Sequence, residues 1–149
     1  MTVQGRRALQ ELLDEAAARI ERLTPAEAAA AVEEGALLVD IRSDVDRERD
    51  GVVPGSLHIP RTVLEWRVDP DGEWRSPHVA GLEDRIVLLC DHGCSSTLAA
   101  ATLVELGFSR AGDVVGGFAG WREAGLPVRA APARRGADEL PGMGAPEPA

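Results

Sequence analysis

Short apolar runs, set apart by polar turns and Ala-rich stretches, give the chain its pattern. Leu37-Leu38-Val39 and Ile86-Val87-Leu88-Leu89 are apolar at every position instead of every second one. That predicts strands buried on both faces of a parallel sheet. Ser56-Leu57-His58-Ile59-Pro60 and Asp113-Val114-Val115 read as further short strands. Between them the period changes to that of helices. Leu9, Leu12, Leu13, Ala16, Ala17 and Ile20 recur at spacings of three and four, so 6–22 reads as an amphipathic helix. Thr24-Pro25-Ala26-Glu27 is a capping box with proline at the first helical position, and it opens a helix that stops at Gly35. Ser43–Asp50 and 118–124 read as short helices, and 96–106 as a longer one ending at Gly107. Turns of helix are expected at 62–66 and 79–85, with a loop over 68–77 flanked by Trp66 and Trp74. Strands alternating with helices predict an α/β domain, its mainly parallel sheet covered on both faces.

Composition adds the limits. A chain of 149 residues suits one domain. The expected divisions are an N-terminal amphipathic helix over 1–23, the α/β domain over 24–129, and a disordered Ala-, Pro- and Arg-rich tail over 130–149. The formal net charge of -9 speaks against a nucleic-acid ligand and against docking on anionic membranes, since both need a basic surface. No apolar stretch is long enough to span a bilayer, and none near the N-terminus resembles a signal peptide. The only two cysteines are four apart, which does not make a secreted disulfide framework; the expected location is cytoplasmic. The helix at 6–22 is a candidate contact for a homodimer or for packing on its own domain.

The chemistry gathers where the run Ile86–Leu89 ends, at Cys90-Asp91-His92-Gly93-Cys94-Ser95-Ser96. A thiol between a buried strand and a helix lies among unpaired N–H groups at the positive end of the helix dipole, which favours the nucleophilic thiolate. Cys90 is therefore the candidate nucleophile. Gly93 gives the loop backbone freedom, and Ser95 and Ser96 are expected to cap the helix. Asp91 brings a negative charge that a protonated His92 would offset. Cys94 is a candidate resolving thiol. Asp40 and Arg42, at the end of another strand, fall on one side of it and are candidates either to tie loops or to support the thiol. Two cysteines without further ligands predict no metal site, and no cofactor is expected.

These landmarks, in order, resemble the rhodanese-like family in its single-domain form. They are Leu38-Val39-Asp40-Ile41-Arg42, Val53-Pro54-Gly55-Ser56-Leu57-His58-Ile59-Pro60, the strand into Cys90, the helix Leu98 to Gly107, and Val115-Gly116-Gly117-Phe118-Ala119-Gly120-Trp121 followed by Gly125-Leu126-Pro127-Val128. The resemblance covers about 24 to 128. It implies a three-layer domain and a sulfurtransferase whose cysteine takes sulfur from a small donor as a persulfide and passes it to a thiol or protein acceptor. The family loop resembles C-x-x-G-x-R. Cys90 and Gly93 match it, while Ser95 stands where arginine is expected. A serine offers no charged fork for a sulfonate, so thiosulfate is not the expected natural donor. The loop residues Asp91 to Ser96 would bind substrate, with Ser95 and Ser96 also candidates to hydrogen-bond the persulfide. Other readings are a non-catalytic rhodanese-like binding module and a Cys90/Cys94 redox dithiol protein. A phosphatase of the same fold would need arginine where Ser96 stands.

Overall fold

Alternation along the central strand organises the molecule. In the computed structural model, which describes residues 5–136 and 138–149, this strand is β4 (Ile86–Leu89). Ile86, Leu88 and Cys90 point into one apolar layer, and Val87 and Leu89 into the other. Both faces are covered, which is why the run is apolar throughout. The other strands are β1 (Glu21–Leu23), β2 (Leu37–Asp40), β3 (Leu57–His58) and β5 (Gly112–Val114). They form a sheet in the order β1-β5-β4-β2-β3, every pair parallel.

The helices are α1 (Leu9–Arg19), α2 (Pro25–Glu33), α3 (Asp44–Asp50), α4 (Leu64–Val68, after a 3-10 turn at Arg61–Val63), α5 (Ser95–Glu105) and α6 (Gly117–Glu123). Ala99, Ala100 and Leu103 of α5 and Leu64 and Val68 of α4 pack with Val39, Leu88 and Phe108 on one face. Ala28 and Ala31 of α2 and Phe118 and Trp121 of α6 pack with Leu38, Leu89 and Val114 on the other. The small alanines let α5 and α2 lie close to the sheet. This is the expected three-layer α/β arrangement. The capping box forms as the sequence implies: the Glu27 N–H donates to Thr24 Oγ1 at 3.2 Å, and the Thr24 N–H donates to Glu27 Oε1 at 2.9 Å. Helix α1 packs on α5 within the same chain, joined at its end by Arg19 and Glu105.

Three expectations change. The first helix ends at Arg19, and Glu21–Leu23 is an edge strand. Ile20 packs into the α5 layer and Leu23 into the α2 layer, the alternation of a strand and not of a helix. The segment 1–23 is therefore not a helix outside the domain, because it supplies one of the five strands; residues 1–4 of it lie outside the described residues. The stretch 79–85 is a turn, closed by the Asp84 N–H on Gly81 O, and not a turn of helix. The tail 130–149, of which Ala137 lies outside the described residues, has no helix or strand among them but is laid against the domain. Glu147 exchanges backbone bonds with Gly55 and Ser56, and its carboxylate meets buried Arg47. A buried guanidinium and a row of free backbone groups give this segment polar partners that its composition does not reveal.

Candidate active site

Cys90 follows the last residue of β4, and its parity turns the sulfur toward α5. Only 5 % of the residue is exposed. Gly93, at φ +82°, bends the loop back so that its N–H donates to Cys90 Sγ at 3.1 Å. A side chain there would be strained, and its Cβ would lie 2.7 Å from the Gly116 nitrogen. Ser96, in the first turn of α5, brings Oγ to 3.3 Å from Sγ. Burial pushes the Cys90 thiol up. Hydrogen bonds from the Ser96 hydroxyl and amide, the Ser95 hydroxyl and the Gly93 amide outweigh it, leaving the thiol below its ordinary range. The expected capping role of Ser95 and Ser96 is thus corrected: Cys94 occupies the cap position without a side-chain bond, and the Ser96 hydroxyl lies between the Cys90 sulfur and Asp113.

Behind Ser96 lies a fully buried carboxylate. Ser96 Oγ donates to Asp113 Oδ2 at 2.7 Å, and Thr97 Oγ1 donates to the same oxygen at 3.0 Å. Arg22 completes the cluster. Its Nε donates to Asp113 Oδ1 at 3.0 Å, and its Nη2 to Asp113 Oδ2 at 3.2 Å and to the Gly93 carbonyl at 3.0 Å. Register explains the meeting: Arg22 and Asp113 are direct partners across β1 and β5, so both side chains leave the sheet on the Cys90 side. On the loop's outer side, Asp91 is paired with Arg49 of α3 at 3.3 Å. Arg49 is shared with Asp50 at 2.7 Å and Asp46 at 3.2 Å, so the Asp91 charge is only partly offset, and exposed His92 makes no hydrogen bond among the described residues. Cys94 is exposed and free. The loop rests on the start of α6, whose Phe118 and Ala119 N–H groups donate to the carbonyls of Cys90 at 2.7 Å and Asp91 at 3.0 Å.

The family model described as the rhodanese-like domain matches residues 24–124. The chain belongs to the rhodanese-like family. A relative named thiosulfate sulfurtransferase GlpE, from Pseudomonas savastanoi pv. phaseolicola, is 36% identical over 103 residues, covering 68% of this chain and 87% of the relative. The protein of that name from Haemophilus influenzae is 31% identical, covering 72% of this chain and 93% of its own length. Among solved structures, one from Rhodopseudomonas palustris, of unknown function and described as a possible tyrosine phosphatase, superposes with a TM-score of 0.76. It is 36% identical and covers 87% of this chain and 99% of its own. The polysulfide-sulfur transferase homodimer of Wolinella succinogenes gives a TM-score of 0.66 at 25% identity, covering 86% and 91%.

Within this rhodanese-like domain Asp40 and Arg42 stand apart from the thiol. Asp40 pairs with Leu89 in the register, one residue before Cys90, and so lies on the opposite face. There Arg42 Nε and Nη2 donate to the Asp40 carboxylate at 3.0 and 2.8 Å, Nη2 also donates to Gly51 O at 2.8 Å, and the guanidinium stacks 3.9 Å from the Phe118 ring. The pair ties the loop after β2 to α6. His58 joins this network, with Nε2 donating to Arg42 O at 2.8 Å and Nδ1 accepting from Arg47 at 3.1 Å. Trp66 and Trp74, both more than half exposed, border a surface groove of about 360 Å³ with Val63, Arg67 and Leu140. Arg22, Thr97 and Asp113 were not among the candidate residues read from the sequence. The one hint was Asp113 itself, an acid within a short run that is otherwise apolar.

Proposed function

We propose that the protein is a sulfurtransferase that carries sulfur as a persulfide on Cys90. The observation that carries this reading is the sulfur held at a strand-to-helix junction by the Gly93 N–H and the Ser96 hydroxyl. The names of the GlpE relatives and of the Wolinella protein support it. In the first step the Cys90 thiolate attacks the outer sulfur of a small donor. A new S–S bond forms, the donor's own bond to that sulfur breaks, and the donor remnant leaves with the electron pair. In the second step an acceptor thiolate attacks the outer sulfur of the persulfide and takes it, and Cys90 departs as thiolate. The Gly93 and Ser96 donors stabilise the anionic sulfur at both ends of this cycle. Thiosulfate is the first donor to try, given the relatives' names. The loop itself offers its sulfonate no arginine, and Ser95 supplies one hydroxyl in its place.

The test is intact mass after incubation with thiosulfate and with polysulfide, for the protein and for Cys90→Ser. A gain of one sulfur that needs Cys90 supports the reading. No gain from any donor sinks it in favour of a non-catalytic binding module, and loss of two hydrogens instead points to a Cys90–Cys94 redox pair. A phosphatase reading, prompted by the Rhodopseudomonas protein, lacks the guanidinium it needs, because Ser96 is turned toward Sγ and Asp113. Aryl phosphate should not be hydrolysed. A cytoplasmic setting, where thiol acceptors stay reduced, suits the proposed cycle. A homodimer through 6–22 would cover the exposed part of α1, including Leu9; sedimentation across concentration tests it.

A further inference from the structure

Ser96 has a single hydroxyl proton and two acceptors within reach. One is Asp113 Oδ2 at 2.7 Å, and the other is the Cys90 sulfur at 3.3 Å. While Ser96 donates to the carboxylate, its oxygen lone pair faces the thiol and accepts the S–H. A thiolate has no proton to give, so the same contact is then favourable only if the Ser96 proton turns toward sulfur. Asp113 is built to release it. The carboxylate keeps the Thr97 hydroxyl at 3.0 Å and both arms of the Arg22 guanidinium, so it is not left unsatisfied when Ser96 turns away.

We propose that Arg22 and Asp113 are positioning residues for Cys90: Asp113 competes with the sulfur for the Ser96 proton, and Arg22 sets how strongly it competes. This rests on the nucleophilic role of Cys90 proposed above. Asp113 lies wholly inside the protein, one hydroxyl away from the sulfur. Unopposed, its charge would work against thiolate both directly and by holding the serine proton. Arg22 opposes it through two hydrogen bonds and also clamps the Gly93 carbonyl, so the turn that presents the Gly93 N–H is tied to the same cation. The bonds to Asp113, against burial, chiefly hold the Arg22 guanidinium in its charged form, and the Cys90 and Cys94 sulfurs are among the charges that act on it. The other ionisable groups around the loop are the Asp91–Arg49 pair, exposed His92 and Cys94. None of them bonds to Ser96 or Asp113 among the described residues. A guanidinium on strand β1 thus reaches the loop from beneath, committed to Asp113 and the Gly93 carbonyl.

The test is the pH profile of iodoacetamide alkylation at Cys90, read by peptide mass so that Cys94 is scored separately. Arg22→Gln leaves the carboxylate uncompensated and is expected to move the midpoint up by about one pH unit, about a tenfold loss of thiolate below the midpoint. Asp113→Asn removes the competing charge and leaves the cation, so the midpoint is expected to move down. The double variant should return close to the parent. A purely structural role for the ion pair would move both single variants in the same direction, because both break the same contact; that result, or two unchanged midpoints, overturns the proposal. If a single variant fails to fold, Ser96→Ala and Ser96→Thr decide instead. Alanine should raise the midpoint and threonine, which keeps a hydroxyl, should hold it; an unmoved alanine midpoint overturns the proposal. Alkylation needs no sulfur donor. Shifted midpoints without sulfur uptake would refute persulfide transfer and keep the positioning pair, and uptake without shifts would do the reverse.

Discussion

Gly117→Ala should damage the active loop from outside it. Gly117 opens α6 at φ +60°, and a Cβ built there would stand 2.4 Å from the Cys90 carbonyl oxygen and 2.7 Å from the Gly93 nitrogen. That carbonyl already accepts the Phe118 N–H at 2.7 Å, so it has little room to retreat on its own. To bring 2.4 Å beyond the 3.0 Å that a Cβ tolerates, the Cys90 peptide and the start of α6 must separate. The left-handed backbone costs an alanine about 1–2 kcal/mol, and forced separation of a packed contact about 1–3 more. Together these correspond to a melting temperature lower by roughly 5–15 °C for a chain of this size. If Cys90 is the nucleophile proposed above, its displacement by a fraction of an ångström is expected to cost up to about a hundredfold in sulfur loading. The control is Gly125→Ala. Gly125 has a similar φ of +75° with nothing within 4 Å of the added carbon, so only the backbone cost of about 1–2 kcal/mol applies. Thermal melting and the rate of Cys90 alkylation would be measured side by side. If the two variants melted together and alkylated at the same rate, backbone-on-backbone packing would not be what holds the loop.

Arg42→Met should destabilise the fold by about 3–5 kcal/mol, since it leaves Asp40 buried with its main partner gone. It should leave the Cys90 alkylation midpoint in place, because the pair lies on the other face of the sheet; urea unfolding and the pH profile check the two halves. Burial first, and the neighbouring Arg47 charge second, hold His58 below its ordinary pKa. The unfolded chain therefore binds a proton more readily than the folded one. The stability this neutral histidine contributes is full above about pH 6.5 and is lost as pH falls below it. The urea midpoint should drop between pH 7.5 and 5.5, and His58→Gln should flatten that slope; an equal slope in the variant would exclude His58 as the source.

The strand-to-helix junction at Cys90 was legible because local signals agree there. An apolar run of four residues, a glycine-bearing polar loop and an Ala-rich helix each speak for themselves within a few residues. Strand β1 was not legible, since three residues set no period and Ile20 continues the helical spacing of Leu9, Leu13 and Ala16. The cluster behind the sulfur was further out of reach. Arg22 and Asp113 are 91 positions apart, and only the pairing of β1 with β5 makes them neighbours. Asp40 and Arg42 show the opposite limit. Their mutual contact follows from strand alternation alone, but whether they share a face with Cys90 depends on the register of β2 against β4, which no local pattern carries.

The register of β1 against β5, in turn, separates two tasks that an arginine in the loop would combine. A guanidinium at position 95 would belong to the rim of the site, free to fork onto an incoming oxyanion and close enough to favour thiolate. Arg22 reaches the loop from the strand beneath it and is committed: three hydrogen bonds bind it to Asp113 and to the Gly93 carbonyl. A guanidinium so occupied can balance charge behind the sulfur but has few donors left to clamp a substrate. Under the proposed cycle, reactivity of Cys90 and affinity for an anionic donor would therefore depend on different residues in this chain. The first rests on Ser96, Asp113 and Arg22, which are buried or tied down. The second would rest on Ser95 and the loop amides, which are not charged. On the proposed function, a site divided in this way would favour donors recognised through their sulfur over donors recognised through a sulfonate.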